Sequence, residues 1–298
     1  MKRTQFCLVP LLALLLSLCA CAPSGQGRFA VLPTLGYLYV DTSGYQHYVA
    51  TPAELQYLPV VFLADTNSPI LADLSDNILS VQVNHDDQIP VSFLSGPISK
   101  AYRGVVQGIL YLSITFPEQE ADTLTITSMQ VTTASNVYDL PLGSITLCSG
   151  YMGNTSELSL FSTLAASSAT GLDRYQVNFH NTTDHPIYLT DIEFGPFADF
   201  ALDLRSGPLA DDSSSQPYPI LDTSNGLHDL QVPLQPGETT YLVLEFPEAP
   251  EDYAVFLMSP LLTLQTQGET FHAFVNQQHH GIIPDYGDWA SLLERFAS

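Results

Sequence analysis

Positive charge is the scarcest commodity in this 298-residue chain: 8 lysines and arginines stand against 31 aspartates and glutamates, a formal net charge of −23. Lys2 and Arg3 precede every acid, so beyond residue 20 only Arg28, Lys100, Arg103, Arg174, Arg205 and Arg295 offset the carboxylates. Such a surface repels phosphate backbones, which excludes nucleic acid as a partner, and it favours solubility. It also holds the body of the protein off an anionic bilayer. Cysteine is scarce too, with 4 in all. Catalytic signatures are missing: the chain contains no nucleophile elbow, no phosphate loop, no dinucleotide fingerprint and no zinc motif. Amphipathic helical periodicity is sparse, and only one long apolar run occurs.

That run is Phe6 to Leu18, behind Lys2 and Arg3 and ahead of Leu18-Cys19-Ala20-Cys21. It has the length of a secretion-signal core and falls short of a comfortable membrane span of ~20 residues. Small Ala20 precedes Cys21, whereas bulky Leu18 precedes Cys19, so a cut before Cys21 suits a peptidase and a cut before Cys19 does not. The stretch resembles the lipobox signal of bacterial lipoproteins. The resemblance implies removal of residues 1–20, Cys21 as the new first residue with a lipid thioether, and a location outside the cytoplasm on a membrane face. Stable attachment needs two acyl chains or one chain plus a basic patch, and the linear sequence near Cys21 offers no basic patch. The acyl chains are therefore expected to hold the protein alone. Cys7 and Cys19 would leave with the signal and Cys21 would be consumed by lipid. Cys148, after apolar Ile145 and Leu147, is left as a buried, inert thiol, and no internal disulfide can form.

The rest of the chain repeats itself. Tyr111-Leu112-Ser113-Ile114-Thr115-Phe116-Pro117-Glu118 recurs as Tyr241-Leu242-Val243-Leu244-Glu245-Phe246-Pro247-Glu248, identical at five of eight positions, and Asp122 and Asp252 extend the match. A weaker match relates Phe62–Ile70 to Phe179–Ile187. The two matches differ in spacing, which places an insertion in the second copy around Ser206 to Tyr218. Within the repeats, Leu112, Ile114 and Phe116 alternate with polar neighbours, as do Leu124 with Ile126 and Tyr175 with Val177 and Phe179. Period-two alternation marks strands with one buried face. Pro236-Gly237 suits a type II turn, and Asn181–Asp184 and Asn84–Asp87 read as hairpin tips. Many short strands at this spacing predict sandwiches. The Asn181-led hairpin, followed by Leu234-Gln235-Pro236-Gly237-Glu238 opening a strand, resembles bacterial surface modules with immunoglobulin-like folds. The Cys…Trp…Cys hallmark of antibody-type domains is absent.

The expected fold class is all-β: two tandem immunoglobulin-like antiparallel β-sandwiches with a short C-terminal helix. The expected segments are a signal peptide over 1–20, a tether over 21–35, sandwiches over 36–150 and 151–283, and an amphipathic helix over 284–298. In that helix Asp288 is the cap, and Trp289, Leu292, Leu293 and Phe296 share a face expected to pack on the second sandwich. Thr51-Pro52-Ala53-Glu54 reads as a capping box, predicting one or two helical turns before Tyr57.

No reactive constellation converges. Adjacent His279 and His280 point to opposite faces of an extended segment, and His180, His185 and His272 lie on different strands or loops, so no metal site or cofactor is expected. Glu118 and Glu248 are repeat equivalents on separate modules, too far apart for a hydrolytic pair. The run beginning Asp222-Thr223-Ser224-Asn225-Gly226 lacks the alternate oxygen ligands and closing glutamate of a calcium loop. Tyr37, Tyr39, Tyr45, Tyr48 and Tyr57 crowd the start of the first module. Tyr37 and Tyr39 share one face of a strand and are the candidate binding residues, with core packing as the competing reading. The leading functional expectation is a non-catalytic, membrane-anchored extracytoplasmic lipoprotein that binds an envelope protein or a glycan, or acts as a scaffold. The alternatives are a solute-binding lipoprotein of a transporter and an extracellular hydrolase on a β scaffold.

Overall fold

A computed structural model describes residues 27–41, 54–115, 123–150, 158–168, 171–199, 203–208, 227–246, 251–274, 281–282 and 286–297. The chain is all-β, built of packed sheets with a short C-terminal helix. The first half runs through β1 (Phe29–Val31), β2 (Thr34–Asp41), β3 (Glu54–Asp65), helix α1 (Ile70–Asp76), β4 (Ile78–Val83), β5 (Val91–Ser95), β6 (Val105–Thr115), β7 (Thr123–Thr133) and β8 (Val137–Gly150). One sheet has the order β1-β3-β6-β5, and facing it is a sheet containing β2-β8-β7-β4. In immunoglobulin terms these are the ABED and GFC layers, with the first strand split so that its second part, β2, lies beside the last strand. The alternation read in β6 is real: Leu110, Leu112 and Ile114 are buried, and the residues between them are half-exposed.

The second half contributes β9 (Leu158–Ser168), β10 (Gly171–Asn181), β11 (Ile187–Glu193), β12 (Asp203–Pro208), β13 (Val232–Leu234), β14 (Thr239–Glu245), β15 (Val255–Ser259), β16 (Leu261–Thr266), β17 (Glu269–Phe274), β18 (Gly281–Ile282) and helix α2 (Trp289–Phe296). Its two sheets are β12-β14-β10-β9 and β13-β11-β16-β17. The internal repeat has a structural counterpart. Tyr111–Thr115 lies in β6 beside β3, and Tyr241–Glu245 lies in β14 beside β10, so the repeated octapeptides begin in the same strand of each sandwich. Phe62 and Phe179 likewise fall in the equivalent strands β3 and β10. Most of the insertion expected around Ser206 to Tyr218, from 209 on, lies outside the described residues.

The two sandwiches are joined by more than a linker. Pro260 breaks the strand that follows β14 into β15 and β16. β16 stays in its own sheet, while β15 crosses over and pairs in parallel with β2, with Val255 opposite Thr34 through Ser259 opposite Leu38, and brings β18 with it. The first sandwich's sheet therefore has six strands, β18-β15-β2-β8-β7-β4. Successive residues of its central strands feed different cores: Leu38, Val255 and Leu257 pack into the first, and Leu35, Tyr37, Tyr39, Phe256 and Met258 into the second. All of Val255, Phe256, Leu257 and Met258 are at most 3% exposed. At ~1.5–3 kcal/mol for each large apolar side chain buried, this strand gains more between two layers than it would on a half-wet sheet.

Several expectations change accordingly. The sandwiches are not purely antiparallel, because β2 runs parallel to both β8 and β15. Leu32 makes the last bond to β3, and Pro33, which has no N–H to donate, marks the crossing to the other sheet. The first sandwich begins at Phe29, inside the segment read as tether, and residues read as part of the second module complete its sheet. Glu54 opens a strand instead of a helix: pairing of β3 with β6 along its length outweighs a helix of one or two turns. Helix α2 uses the expected face, with Trp289 and Leu293 buried and Leu292 and Phe296 half-buried, but it packs on β1, β3 and β6 of the first sandwich, not on the second. Along β3, Val61 and Leu63 point opposite to Leu58, Val60 and Phe62, yet all five are buried. The outward pair lies on the face that α2 covers.

Candidate functional site

The tyrosines singled out in the sequence do not form a surface. Tyr37 is 8% exposed and Tyr39 is 5% exposed, and both are turned from β2 into the core of the second sandwich. Their rings meet edge to face with centroids 5.8 Å apart. The Tyr37 hydroxyl donates to Glu193 Oε1 at 2.8 Å. Burial raises the pKa of both phenols, so they stay protonated donors. Gly195 follows Glu193 at φ +51, and a Cβ placed there would sit 2.2 Å from the Tyr37 ring. Cys148 lies in the same core, 3% exposed and unpaired, with its thiol pKa pushed up chiefly by burial. A protonated, inaccessible sulfur is no nucleophile. With both rings turned into the core, the cluster works as a latch between the sandwiches rather than as a binding face. Sequence reasoning passed over Glu193 and Gly195, since Asp191-Ile192-Glu193-Phe194-Gly195 carries no recognisable motif.

The second place of interest is the end of the second sandwich farthest from β1. Three connections gather there: residues 182–186 after β10, the turn Gln235–Glu238 before β14, and Gln267-Gly268 between β16 and β17. Asn181, fully buried, ties two of them together. Its side-chain amide donates to the His185 carbonyl at 2.9 Å and the Leu234 carbonyl at 2.8 Å. Its side-chain oxygen accepts from the Thr183 N–H at 2.9 Å and the Thr183 hydroxyl at 2.7 Å. Its backbone carbonyl accepts from Gly237 N–H at 2.9 Å. Gly237 at φ +68, after Pro236 and with Glu238 N–H bonded to Gln235 O at 3.1 Å, forms the type II turn read from Pro-Gly. Outward from this clamp project Asp184, His185 and Glu238. The Asp184 carboxylate, next to His185, is held below its ordinary pKa chiefly by a hydrogen bond from that ring, at 3.0 Å. Loops of this kind at the end of a rigid sandwich are where such folds place recognition.

Of the remaining sequence candidates, His180 meets the Thr239 hydroxyl at 3.3 Å and His272 the Thr263 hydroxyl at 3.2 Å. Among the described residues no three His, Cys, Asp or Glu side chains come together as metal ligands. No helix among them is long and apolar enough to cross a membrane. Cys21, Tyr45, Tyr48, Glu118, Glu248, His279, His280 and the run from Asp222 lie outside the described residues.

No family model and no curated protein matches the chain. Solved structures give distant likenesses. One is described as manganese lipoxygenase of Gaeumannomyces graminis with part of a zonadhesin of Komagataella pastoris, at 12% identity over 76% of this chain and 87% of that one, TM-score 0.30. Another is a Corynebacterium diphtheriae protein described as membrane anchored, at 11% identity over 89% and 60%, TM-score 0.22. A third is the C-terminal domain of the Streptococcus agalactiae AgI/II polypeptide BspA, at 9% identity over 84% and 99%, TM-score 0.17. Likenesses this low carry no argument about activity or ligand.

Proposed function

We propose that this chain is a non-catalytic, lipid-anchored extracytoplasmic protein, moored through Cys21, that presents the loop end of its second sandwich to a protein or glycan of the envelope. The observation that supports this most is the direction of the chain. The segment that follows Cys21 enters at the start of β1. β2, β8 and β15 run parallel to one another away from that end and β16 continues β15, so the loops clamped by Asn181 lie at the opposite pole. A tether at one pole and a rigid loop cluster at the other is the layout of a display module. The Tyr37–Glu193 hydrogen bond and the buried strand β15 keep the two sandwiches aligned, so the loops are held at a fixed height instead of swinging on a linker.

The test is a comparison of the native chain with a Cys21→Ser variant in the producing cell. The native chain should partition with membranes, and mass spectrometry should show an N-terminal peptide beginning at Cys21 with acyl mass. The variant should be released or retain its leader. Cross-linking from Asp184→Cys should capture an envelope component, while the same label at buried Ser259 should capture none. An unmodified, intact leader on native material contradicts the anchoring.

A further inference from the structure

We propose that the tether pole of the first sandwich is a membrane-contact surface, which lays the segment Ile98–Arg103 onto the headgroups of the bilayer that holds the anchor. The inference rests on anchoring at Cys21 and adds to it an orientation and a contacting surface. The net negative charge holds most of the body off an anionic bilayer, and the linear sequence shows no basic patch, but the fold gathers cations locally at this pole. The start of β1, the end of β3, the start of β6 and the start of β8 all lie at this pole. Arg28 pairs with Asp65 at 3.0 Å, and the next residue, Thr66, donates to the Gly104 carbonyl at 3.0 Å. Arg28, Lys100 and Arg103, half of the six cations beyond residue 20, are thus gathered around one hairpin, although 75 residues of sequence separate the first from the last.

The hairpin is shaped to protrude. Tyr102 and Val105 exchange backbone hydrogen bonds at 2.8 and 3.0 Å, and Arg103 and Gly104 between them have φ of +51 and +84, a type I′ tip. Nothing lies within 4 Å of where a Gly104 Cβ would stand. The Arg103 guanidinium rests over the Tyr102 ring, 5.3 Å from its centroid. Beside it Ile98 is 37% exposed and Tyr102 is 38% exposed, and Leu79 (67%) and Val137 (58%) rim the same pole. Four of the six large apolar side chains most exposed among the described residues are therefore here. Tyrosine with an apolar neighbour and a basic fringe is the composition that settles at a headgroup layer.

The acids complete the argument. At this pole Asp65 is tied to Arg28, which also feels the charge of Glu294, and Asp73 accepts from Tyr138 at 2.5 Å and Asn136 at 3.0 Å. The opposite pole of the same sandwich has no described Lys or Arg. An anionic bilayer turns such a body cation end inward. The residues between Cys21 and Gly27, fully extended, reach about 20 Å, so this pole stays close to the surface. Tethering raises its effective concentration there, and a weak contact suffices to fix the orientation.

The test uses the full acylated chain, reconstituted into vesicles of phosphatidylcholine alone or mixed with phosphatidylglycerol, with headgroup-nitroxide lipid as quencher. A fluorophore is placed at Ala101→Cys, and, as the distal control, at Gln235→Cys. The expected result is strong quenching at 101, several-fold more than at 235, increasing with phosphatidylglycerol and falling with salt. It should be lost in Lys100→Glu/Arg103→Glu while the protein still floats with the vesicles and keeps its circular dichroism. Equal quenching at both positions, or quenching at 101 indifferent to charge reversal and lipid, would overturn the contact surface alone. A chain without acyl mass that fails to float overturns the anchoring and, with it, this inference. Quenching at 101 by a nitroxide on a second copy, and not by lipid, assigns the surface to self-association and overturns it as well.

Discussion

The hydroxyl of Tyr37 and the carboxylate of Glu193 meet at 2.8 Å from opposite halves of the chain, 156 residues apart in sequence. Their contact ties the strand that opens the first sandwich to the end of β11 in the second.

Removing only that bond, in Tyr37→Phe, should cost about 1 kcal/mol, the usual worth of a hydrogen bond whose packing is kept. Gly195→Ala should cost more, about 2–4 kcal/mol, because a methyl group would fall 2.2 Å from the Tyr37 ring at a backbone angle of +51. Urea unfolding followed by circular dichroism measures both. A neutral Gly195→Ala would show that β2 and the Gly195 turn are not in the contact described.

Asn181 satisfies four polar groups with one buried side chain. Asn181→Ala removes the side-chain donor to the buried Leu234 carbonyl and leaves the His185 carbonyl to the Thr183 hydroxyl alone, and should lower stability by about 1–3 kcal/mol. Backbone exchange should rise first in the turns at 182–186 and 235–238. If exchange rose uniformly instead, the residue would be ordinary packing and not a clamp on the loop pole.

The buried phenols predict an alkaline limit. Burial raises the pKa of Tyr37, Tyr39 and Tyr175 in the folded state. A group whose pKa is raised on folding contributes its full stability below the unfolded value, about 10 for tyrosine. That contribution is lost as the pH climbs from there towards the folded value. Each phenol should therefore steepen the loss by about 1.4 kcal/mol per pH unit above pH 10. Tyr175→Phe should flatten the slope by one phenol's share, read from unfolding curves at successive alkaline pH. An unchanged slope would mean that the ring ionises in the folded protein.

Trp289 is 1% exposed beneath α2. Trp289→Ala should destabilise by about 3–5 kcal/mol, and hydrogen exchange should loosen β1 and β3 of the first sandwich before β10 and β14 of the second. Loss confined to the second sandwich would contradict the docking described. The free thiol offers a companion measurement: Cys148 should resist a thiol reagent in native protein and react at once in denaturant.

What the sequence revealed and what it hid have separate physical causes. Strand identity is a local matter, so alternation in Leu110, Leu112 and Ile114 and the Pro236-Gly237 turn could be read directly. The tandem repeat marked equivalent strands because both copies bury the same pair, Leu112 with Ile114 and Leu242 with Leu244. Partnership between distant strands leaves a fainter trace. Val255-Phe256-Leu257-Met258 does not alternate, and an apolar run of that kind marks a strand covered on both faces. That signal was legible, but not which neighbour it would take. The amphipathic face of α2 was equally clear, while the face that receives it, Val61 and Leu63, looks like any strand interior. The capping box at Thr51 misled because a cap adds about 1 kcal/mol, less than the pairing of β3 along β6. Tyr37 and Tyr39 stood out as a pair, and only the crossing of β15 explains why they are covered.

The crossing has a consequence for how the protein is born. Half of what completes the first body is encoded at the far end of the gene: β15 must be laid beside β2, and α2 over β1 and β3, before either face is dry. A chain emerging head first cannot finish its leading portion until its tail arrives. Until then the leading strands stay unpaired and open to other partners, and a truncation that removes only α2 leaves the front of the molecule, not the back, unsealed.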